Sequence, residues 1–458
     1  MSFSSFSFLL FFLPLFPVYA LLPKRWRDPV LLLASLGFYA WGEPRYVLLL
    51  LASIAVTYLF GRAMRPEQSR GARKALLIAA LCFHIGLLVV FKYAAFFFGS
   101  FLTLPKLSLP LGISFYTFHA MSYLIDVYRQ TSAPAKSPLR LALYLAMFPK
   151  LIMGPIVPYH EMERALDDHP LSPELTAAGC FRFAVGLAKK ALLADAIGAV
   201  ISPIWSDTAS LTVLSAWLGL IGYALQLYFD FSGYSDMAIG LGAMLGFRLP
   251  ENFRYPYLCT SISDFWRRWH ISLGGWFRDY LYIPLGGSRA GTLRIVRNLM
   301  IVWLATGLWH GASWNYVLWG VYFGVLIVLE KLLKPRVHAG RPGAALYRIL
   351  CVFLVLMGWV FFRAATLPAA GQYFRALFGG AARISPQARV YLHDNWLLLL
   401  VGCIGATPLA ATLAKRLSAK LRPGALAIAR TVLMLALLAL SLLWLVNNTF
   451  QGFVYFKF

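Results

Sequence analysis

Runs of Leu, Val, Ile, Ala and Phe recur along most of this chain, and the breaks between them are short and rich in Lys and Arg. Apolar stretches able to cross or deeply enter a bilayer, which takes about 20 residues for a straight helix, lie near 4–22, 29–42, 46–61, 75–98, 108–125, 139–157, 178–204, 210–230, 236–247, 299–333, 345–363, 395–413 and 428–447. Several are too short to cross, so the pattern predicts an all-α polytopic membrane protein with about 10 to 13 transmembrane or embedded helices, some of them re-entrant or interfacial. No internal repeat, low-complexity segment or Pro/Gly/Ser-rich linker interrupts it, which argues for one membrane domain over 1–458. The opening MSFSSFSFLLFFLPLFPVYALL lacks a basic flank and a small-residue cleavage site and contains Pro14 and Pro17. It is expected to be a retained first helix.

Composition agrees. A chain that is 60% hydrophobic and only 13% charged is not an ordinary soluble globule. Lys and Arg outnumber Asp and Glu by 42 to 18. In a soluble protein that balance points to nucleic acid, but here no basic segment forms a soluble domain, and cytoplasmic loops facing anionic lipid account for it. The basic groups Lys24, Arg25, Arg27, then Arg62, Arg65, Arg70, Arg73, Lys74, then Lys331, Lys334, Arg336, Arg341, and finally Lys415, Arg416, Lys420, Arg422 mark the cytoplasmic side. Met1 and Phe458 are then expected outside, with an even number of crossings and the segment 365–394 exposed on the outer face. The cysteines Cys82, Cys180, Cys259, Cys351 and Cys403 are scattered singly, with no CxxC and no HExxH, so no metal site is expected.

Chemistry concentrates in 264–289, DFWRRWHISLGGWFRDYLYIPLGGSR, and in GLWHG around His310. Trp266, Trp269, Leu273, Trp276 and Tyr280 recur at three and four, the stripe of an amphipathic helix, with Arg267 and Arg278 on another face. An interfacial helix over 264–280, which Gly274–Gly275 would allow to bend, follows from that spacing. Whether it only anchors in lipid or also acts chemically is open, and His270 fits either a catalytic role or a hydrogen-bonded core position. His310 is sharper, because 299–329 contains no formally charged residue. Thirteen residues beyond Arg297, it lies about 20 Å from that charge along a helix, at or past mid-membrane. An ionisable group there faces the protein interior or a cavity, kept neutral by desolvation as a general base requires. Gly307 and Gly311 bracket it and permit close approach or a helix break. A hydrogen-bonding residue between helices is the competing role.

A third polar cluster, QLYFDFSGYSDMAIG, contains Asp230 and Asp236. Buried carboxylates need cations, and the Arg-rich segment downstream offers them, so a structural network that positions the site is favoured over a pair of catalytic acids. FPKLIMGPIVPYHEM, with Lys150 before Gly154–Pro155, is either a lid or tunnel wall or simply a Pro-terminated helix. There is no GxSxG elbow, no HxxxxD, and no Walker or Rossmann glycine pattern.

Taken together, FDFSGYSDMAIGLGAMLGFRLPENFRYPY, SDFWRRWHISLGGWFRDYLYIPLGG and GLWHGASWNYVLWG resemble the membrane-bound O-acyltransferase family, in particular its bacterial branch represented by the alginate O-acetylase membrane subunit. The motifs run in the family's order over about 228–320, and GPIVPYHEM and the closing FVYFKF add weaker likeness. The resemblance implies an MBOAT-like core with an internal tunnel, His310 as the essential histidine and His270 as the second. It implies no bound cofactor, with acetyl-CoA as the acyl-donor substrate entering at a basic cytosolic rim, and Arg267, Arg268, Trp269, Trp309, Asp230, Asp236 and Lys150 are the candidates for binding substrate or donor. An acceptor hydroxyl on a periplasmic esterase-like acetyltransferase partner, a polysaccharide assembly machinery and the bacterial inner membrane are implied too, with no nucleic acid. Lys150 and Pro158 depart from the residues expected in the related motif, an uncharged polar one and an Arg. Transfer of D-alanyl groups or acylation of peptidoglycan are alternatives within the family, and an acyl or polysaccharide transporter using His310 as a proton relay is the alternative outside it.

Overall fold

The computed structural model describes residues 2–99, 107–289, 291–333, 342–448 and 452–454, so the predicted external positions of Met1 and Phe458 and most of the basic loop at 334–341 lie outside the described residues. Regular structure among the described residues is helical, the one β contact being an isolated bridge between Phe253 and Trp269. Among the same residues six helices are long and apolar enough to cross a bilayer, and a seventh span arises if Pro386–Gly405 and Leu409–Ser418, bent by 67°, count as one. The other helices are short or broken, as the short apolar runs predict. Phe6–Leu21, for instance, has 16 residues with Pro14 and Pro17 inside it.

The chain folds into two units, each packed around its own interior. The first comprises 1–183 and 234–251. Its interior is aromatic: Phe3, Phe8, Phe12, Phe38 and Phe148 pack ring against ring. The helix Ile113–Arg129 is buried on nearly every side, with Tyr116, His119 and Tyr123 among its inaccessible residues. Gly179 and Gly240 let two helices touch, since a Cβ on Gly179 would come within 2.6 Å of the Gly240 carbonyl oxygen. Beside that contact Arg182 donates to Asp236 at 2.8 Å and 3.0 Å and also pairs with Glu251.

The second unit comprises 184–233 and 252–458. Three long helices dominate it: Thr292–His310, which ends in the histidine; Trp314–Leu333, which returns antiparallel after a three-residue break; and Pro342–Arg363, which runs back beside the second. Tyr347 reaching Glu330 and Asn315 donating to the Ala364 carbonyl at 2.6 Å fix that order, so His310, Asn315 and Arg363 share one end of the bundle. Lys331, held by Tyr282 and Ser288, marks the other. The last long helix, Pro423–Asn447, exposes Leu433, Leu435, Leu440 and Leu443. Such a surface suits lipid tails.

The structure corrects several expectations. The stretch 264–280 is not one interfacial helix: Ile262–Trp266 ends, His270 turns the chain with φ 47°, and Ile271–Phe277 starts again. Gly274 and Gly275 lie inside the second piece rather than at a bend. Trp269, Leu273, Trp276 and Tyr280 are buried in protein, while Arg267 and Arg278 are exposed, so the stripe is a core stripe. The runs at 210–230 and 236–247 form one helix, Val213–Met244, that carries the polar cluster in its middle. The segment 365–394 is not simply exposed, because Leu367–Leu377 buries Tyr373 against Trp205 at 3.9 Å between ring centroids.

Candidate active site

His310 closes its helix and is 2% exposed. Trp309, Trp319 and Phe362 stand around the imidazole at ring-centroid distances of 4.9, 4.9 and 5.2 Å, all edge-on. Apolar rings on three sides deny it the water that would stabilise an imidazolium. The helix ends there because Gly311 leaves the helical region. It stays closely packed because Tyr316 fills the space a Gly311 side chain would need, its ring 2.4 Å from that Cβ position. One turn earlier the helix crosses its partner without intervening side chains: a Cβ on Gly307 would lie 2.4 Å from the Tyr316 carbonyl oxygen, and one on Gly320 2.4 Å from that of Trp303.

His270 belongs to the same unit and approaches His310 through Trp309, whose ring centroid is 6.0 Å from the His270 ring. Its backbone is left-handed, a conformation costing a non-glycine residue on the order of 1 kcal/mol or more. The segment 252–254 holds it there. Asn252 accepts the Ile271 N–H on its backbone oxygen at 3.0 Å, Arg254 donates to the Arg268 carbonyl at 2.9 Å, and Phe253 bridges Trp269. The side chain of Asn252 fixes the imidazole as well. Its Oδ1 receives the Ser272 backbone N–H at 3.2 Å, which identifies it as the oxygen, so His270 Nδ1, 3.2 Å away, must donate to it. Nε2 then keeps its lone pair, and no described residue hydrogen-bonds to it. Burial pushes the imidazole down to about 3, so His270 is neutral, with its lone pair on Nε2.

The basic cluster divides. Arg267 points to solvent, whereas Arg268 is held at 2.9 Å by Asp264. Trp269 stacks on Phe265 and abuts Trp359, and Trp266 touches Trp303, Trp319 and Phe323, so an aromatic core runs from the basic segment to the wall of His310. Glu330 caps the helix Ile262–Trp266 by accepting from the Ile262 and Ser263 N–H groups, a favourable place for a carboxylate. Sequence reasoning finds neither Asn252 nor Glu330. Asn252 gives no signal of its own inside ENFRYPY, and Glu330 reads as a lone acid beside Lys331.

Asp230 and Asp236 both find cations, but upstream rather than in the Arg-rich segment. Asp236 pairs with Arg182 in the first unit. In the second, buried Lys190 donates to Asp230 at 2.7 Å and to Asp195 at 2.6 Å, the latter made possible by a π-helical turn over Lys189–Asp195 that brings residues five apart onto one face. Asp230 also accepts the Val454 N–H at 2.9 Å, and Phe453 lies 4.5 Å from the ammonium, so the cluster clamps part of the closing FVYFKF. Lys150 lies in the first unit, inaccessible, with its ammonium 3.9 Å over the Tyr144 ring and no hydrogen-bond partner among the described residues. Its burial, next to His119, holds the ammonium well below the usual lysine range. Among the described residues no group of His, Cys, Asp and Glu could hold a metal ion.

The site is thus a helical membrane bundle that buries two histidines, His270 and His310, in one aromatic core. The chain belongs to the membrane-bound O-acyltransferase family, whose model matches residues 47–367. It is therefore a multi-pass membrane O-acyltransferase that works on an acyl donor. It is 40% identical over 392 residues to the "Probable alginate O-acetylase AlgI" of Pseudomonas aeruginosa, covering 82% of this chain and 75% of that one. To the peptidoglycan O-acetyltransferase of Helicobacter pylori it is 35% identical over 422 residues, 82% and 79% of the two chains. Likeness to the teichoic acid D-alanyltransferase of Bacillus subtilis is narrower, 30% over 236 residues, 49% of this chain and 59% of the other.

Proposed function

We propose that this protein, acting as one functional domain, transfers an acetyl group from a cytosolic thioester, acetyl-CoA, across the bacterial inner membrane to a hydroxyl. The product serves O-acetylation of an exopolysaccharide. The acceptor hydroxyl belongs to a periplasmic esterase-like partner that passes the group to the polymer. The observation that carries this reading is the placement of His310, buried at the end of an unbroken 19-residue helix whose other end carries Arg294 and Arg297. At about 1.5 Å per residue, it lies about 20 Å from Arg297.

In this mechanism His310 takes the proton from the acceptor hydroxyl as the oxygen attacks the thioester carbonyl. The C–O bond forms, the C–S bond breaks, and the thiolate leaves with the proton returned by the imidazolium. Assistance of this kind is worth about 10² to 10⁴ in rate, and holding both reactants in one dry channel contributes much of the rest. His270, set in one tautomer by Asn252, orients the donor or the tetrahedral intermediate through Nε2 and Trp309. Exposed Arg267 meets the phosphates of the donor, with Arg268 and Trp269 shaping the rim behind it. Asp230 belongs to the supporting scaffold of the second unit, and Asp236 and Lys150 to that of the first.

Replacing His310 with Ala should abolish acetyl transfer by purified protein while leaving its amount in the membrane and its thermal midpoint near those of the parent. Retained transfer would end the assignment. Flux of polymer without consumption of thioester would favour a transporter, and comparison of D-alanyl with acetyl donors, and of peptidoglycan with exopolysaccharide as the modified polymer, separates the alternatives within the family.

A further inference from the structure

Arg363 closes the helix Pro342–Arg363 at the end of the second unit where His310 lies. Its guanidinium carbon stands 5.7 Å from the ring centroid of Trp205 and 5.7 Å from that of Tyr223. The side chain is half-buried, and among the described residues no carboxylate pairs with it. In the same unit the buried ammonium of Lys190 and the guanidinium of Arg268 each have their carboxylates. Beside Arg363 the Tyr223 hydroxyl is fully buried and has no hydrogen-bond partner among the described residues. A buried hydroxyl without a partner costs about 1 to 3 kcal/mol, so its survival next to an unneutralised cation calls for a ligand.

The neighbours connect this place to the proposed base. Phe362, the preceding residue, packs on His310 at 5.2 Å and on Tyr316 at 5.2 Å. Trp205 is held in place by its Nε1–H donating to the Gly219 carbonyl at 3.0 Å and by its stack on Tyr373, so the aromatic wall is rigid. Trp205 and Tyr223 also pack on each other, with ring centroids 5.7 Å apart, so the guanidinium meets a joined aromatic surface on one side. A planar carboxylate meets the edge of a guanidinium with two parallel hydrogen bonds.

We propose that Arg363 and Tyr223 form a carboxylate-binding site that recognises an acidic residue of a polypeptide acyl acceptor and presents the neighbouring hydroxyl toward His310. That the bound polypeptide is the acyl acceptor rests on the function proposed above. The site itself does not.

The test uses the full chain purified in detergent, without thioester, and three probes: a short peptide with serine next to glutamate, its glutamine counterpart, and methyl glucuronoside. The parent should bind the glutamate peptide about tenfold or more tightly than the glutamine peptide, the gain expected of charge-assisted hydrogen bonds. Arg363→Gln should erase the preference, and Arg363→Lys should retain part of it. Tyr223→Phe, which keeps the ring against Arg363 and removes the unpartnered hydroxyl, should reduce the preference a few-fold with a thermal midpoint at or above that of the parent. Equal binding of the two peptides by the parent overturns the site, as does an equal loss of both in Arg363→Gln, which would make Arg363 a structural clamp. A charge preference confined to the glucuronoside overturns the assignment to a polypeptide. A protein that binds the glutamate peptide through Arg363 yet transfers no acetyl group keeps the site and refutes the transferase function instead.

Discussion

Gly307→Ala tests whether the crossing beneath His310 sets the rate. The added methyl would meet backbone, 2.4 Å from the Tyr316 carbonyl oxygen and 3.2 Å from Gly320 Cα, so no side chain can rotate away to admit it. Ordinary contact begins near 3.4 Å, and 3.4 minus 2.4 leaves a separation of about 1 Å for the two helices to open. Overpacking of this kind costs about 1 to 3 kcal/mol. Because His310 lies three residues further along the same helix, wedged against Trp319 and Phe362, the same shift displaces the imidazole. A misplacement of about 1 Å at a reacting group can cost on the order of 10²-fold in rate. Acetyl transfer and the thermal midpoint would be measured for Gly307→Ala, Gly320→Ala, the double variant and Gly371→Ala, a helical glycine with nothing within 4 Å of its Cβ position. Both single variants should lose about 10²-fold in kcat. The double variant should cost less than the sum, since either methyl alone already opens the crossing, and Gly371→Ala should be neutral or slightly stabilising. A Gly307→Ala protein with parental kcat would refute the tight crossing as a determinant of the site.

Two further outcomes follow from the buried charges. Lys190→Met strands Asp195 and Asp230 together without their cation and should cost about 3 to 5 kcal/mol. Asp230→Asn leaves a neutral Lys190–Asp195 pair and should cost clearly less, though it loosens Val454; unfolding in detergent, with proteolysis from the C-terminus as a second readout, ranks the two, and the reverse order would contradict the charge count. His270 is lowered from 6.5 to about 3 on folding, so the folded state binds fewer protons than the unfolded one. Its contribution is intact above pH 6.5 and is lost as the pH falls from there toward 3, by up to about 1.4 kcal/mol per pH unit. His270→Asn, which tolerates the left-handed backbone, should flatten the acid limb of the stability curve; parallel curves would mean that the imidazole is not buried neutral.

Much of this architecture is legible in the chain. The apolar runs announce a helical membrane protein, and the isolation of His310 in an uncharged stretch marks it without any coordinate. What misleads is a helical period read through a break. Trp266, Trp269, Leu273, Trp276 and Tyr280 keep the spacing of one helix, yet the chain turns between Arg267 and His270 because pairing with 252–254 stabilises it there, and periodicity carries no information about a strand-like partner so far back in the chain. Nor does periodicity see pairs such as Asp230 with Lys190, or Asp236 with Arg182, separated by 40 and 54 residues. Two anchors, Asn252 and Glu330, act through backbone N–H groups, which any sequence possesses, so their role appears only when the backbone is placed.

The distribution of charge supports transfer of a neutral group over passage of a charged one. The three long helices of the second unit place cations at both ends, Arg294, Arg297 and Lys331 at one and Arg363 at the other, with His310 near the latter among aromatic rings. An ion carried through a core about 30 Å thick costs several kcal/mol even where the bilayer adapts, whereas an acetyl group carries no charge. Under the proposed mechanism the phosphates of the donor stay at Arg267, the carboxylate of the acceptor stays at Arg363, and only the acyl carbon meets the histidine. That division explains why the buried carboxylates of the second unit are locked to Lys190 or set on a helix end: an unpaired anion near His310 would favour the imidazolium and disarm the base.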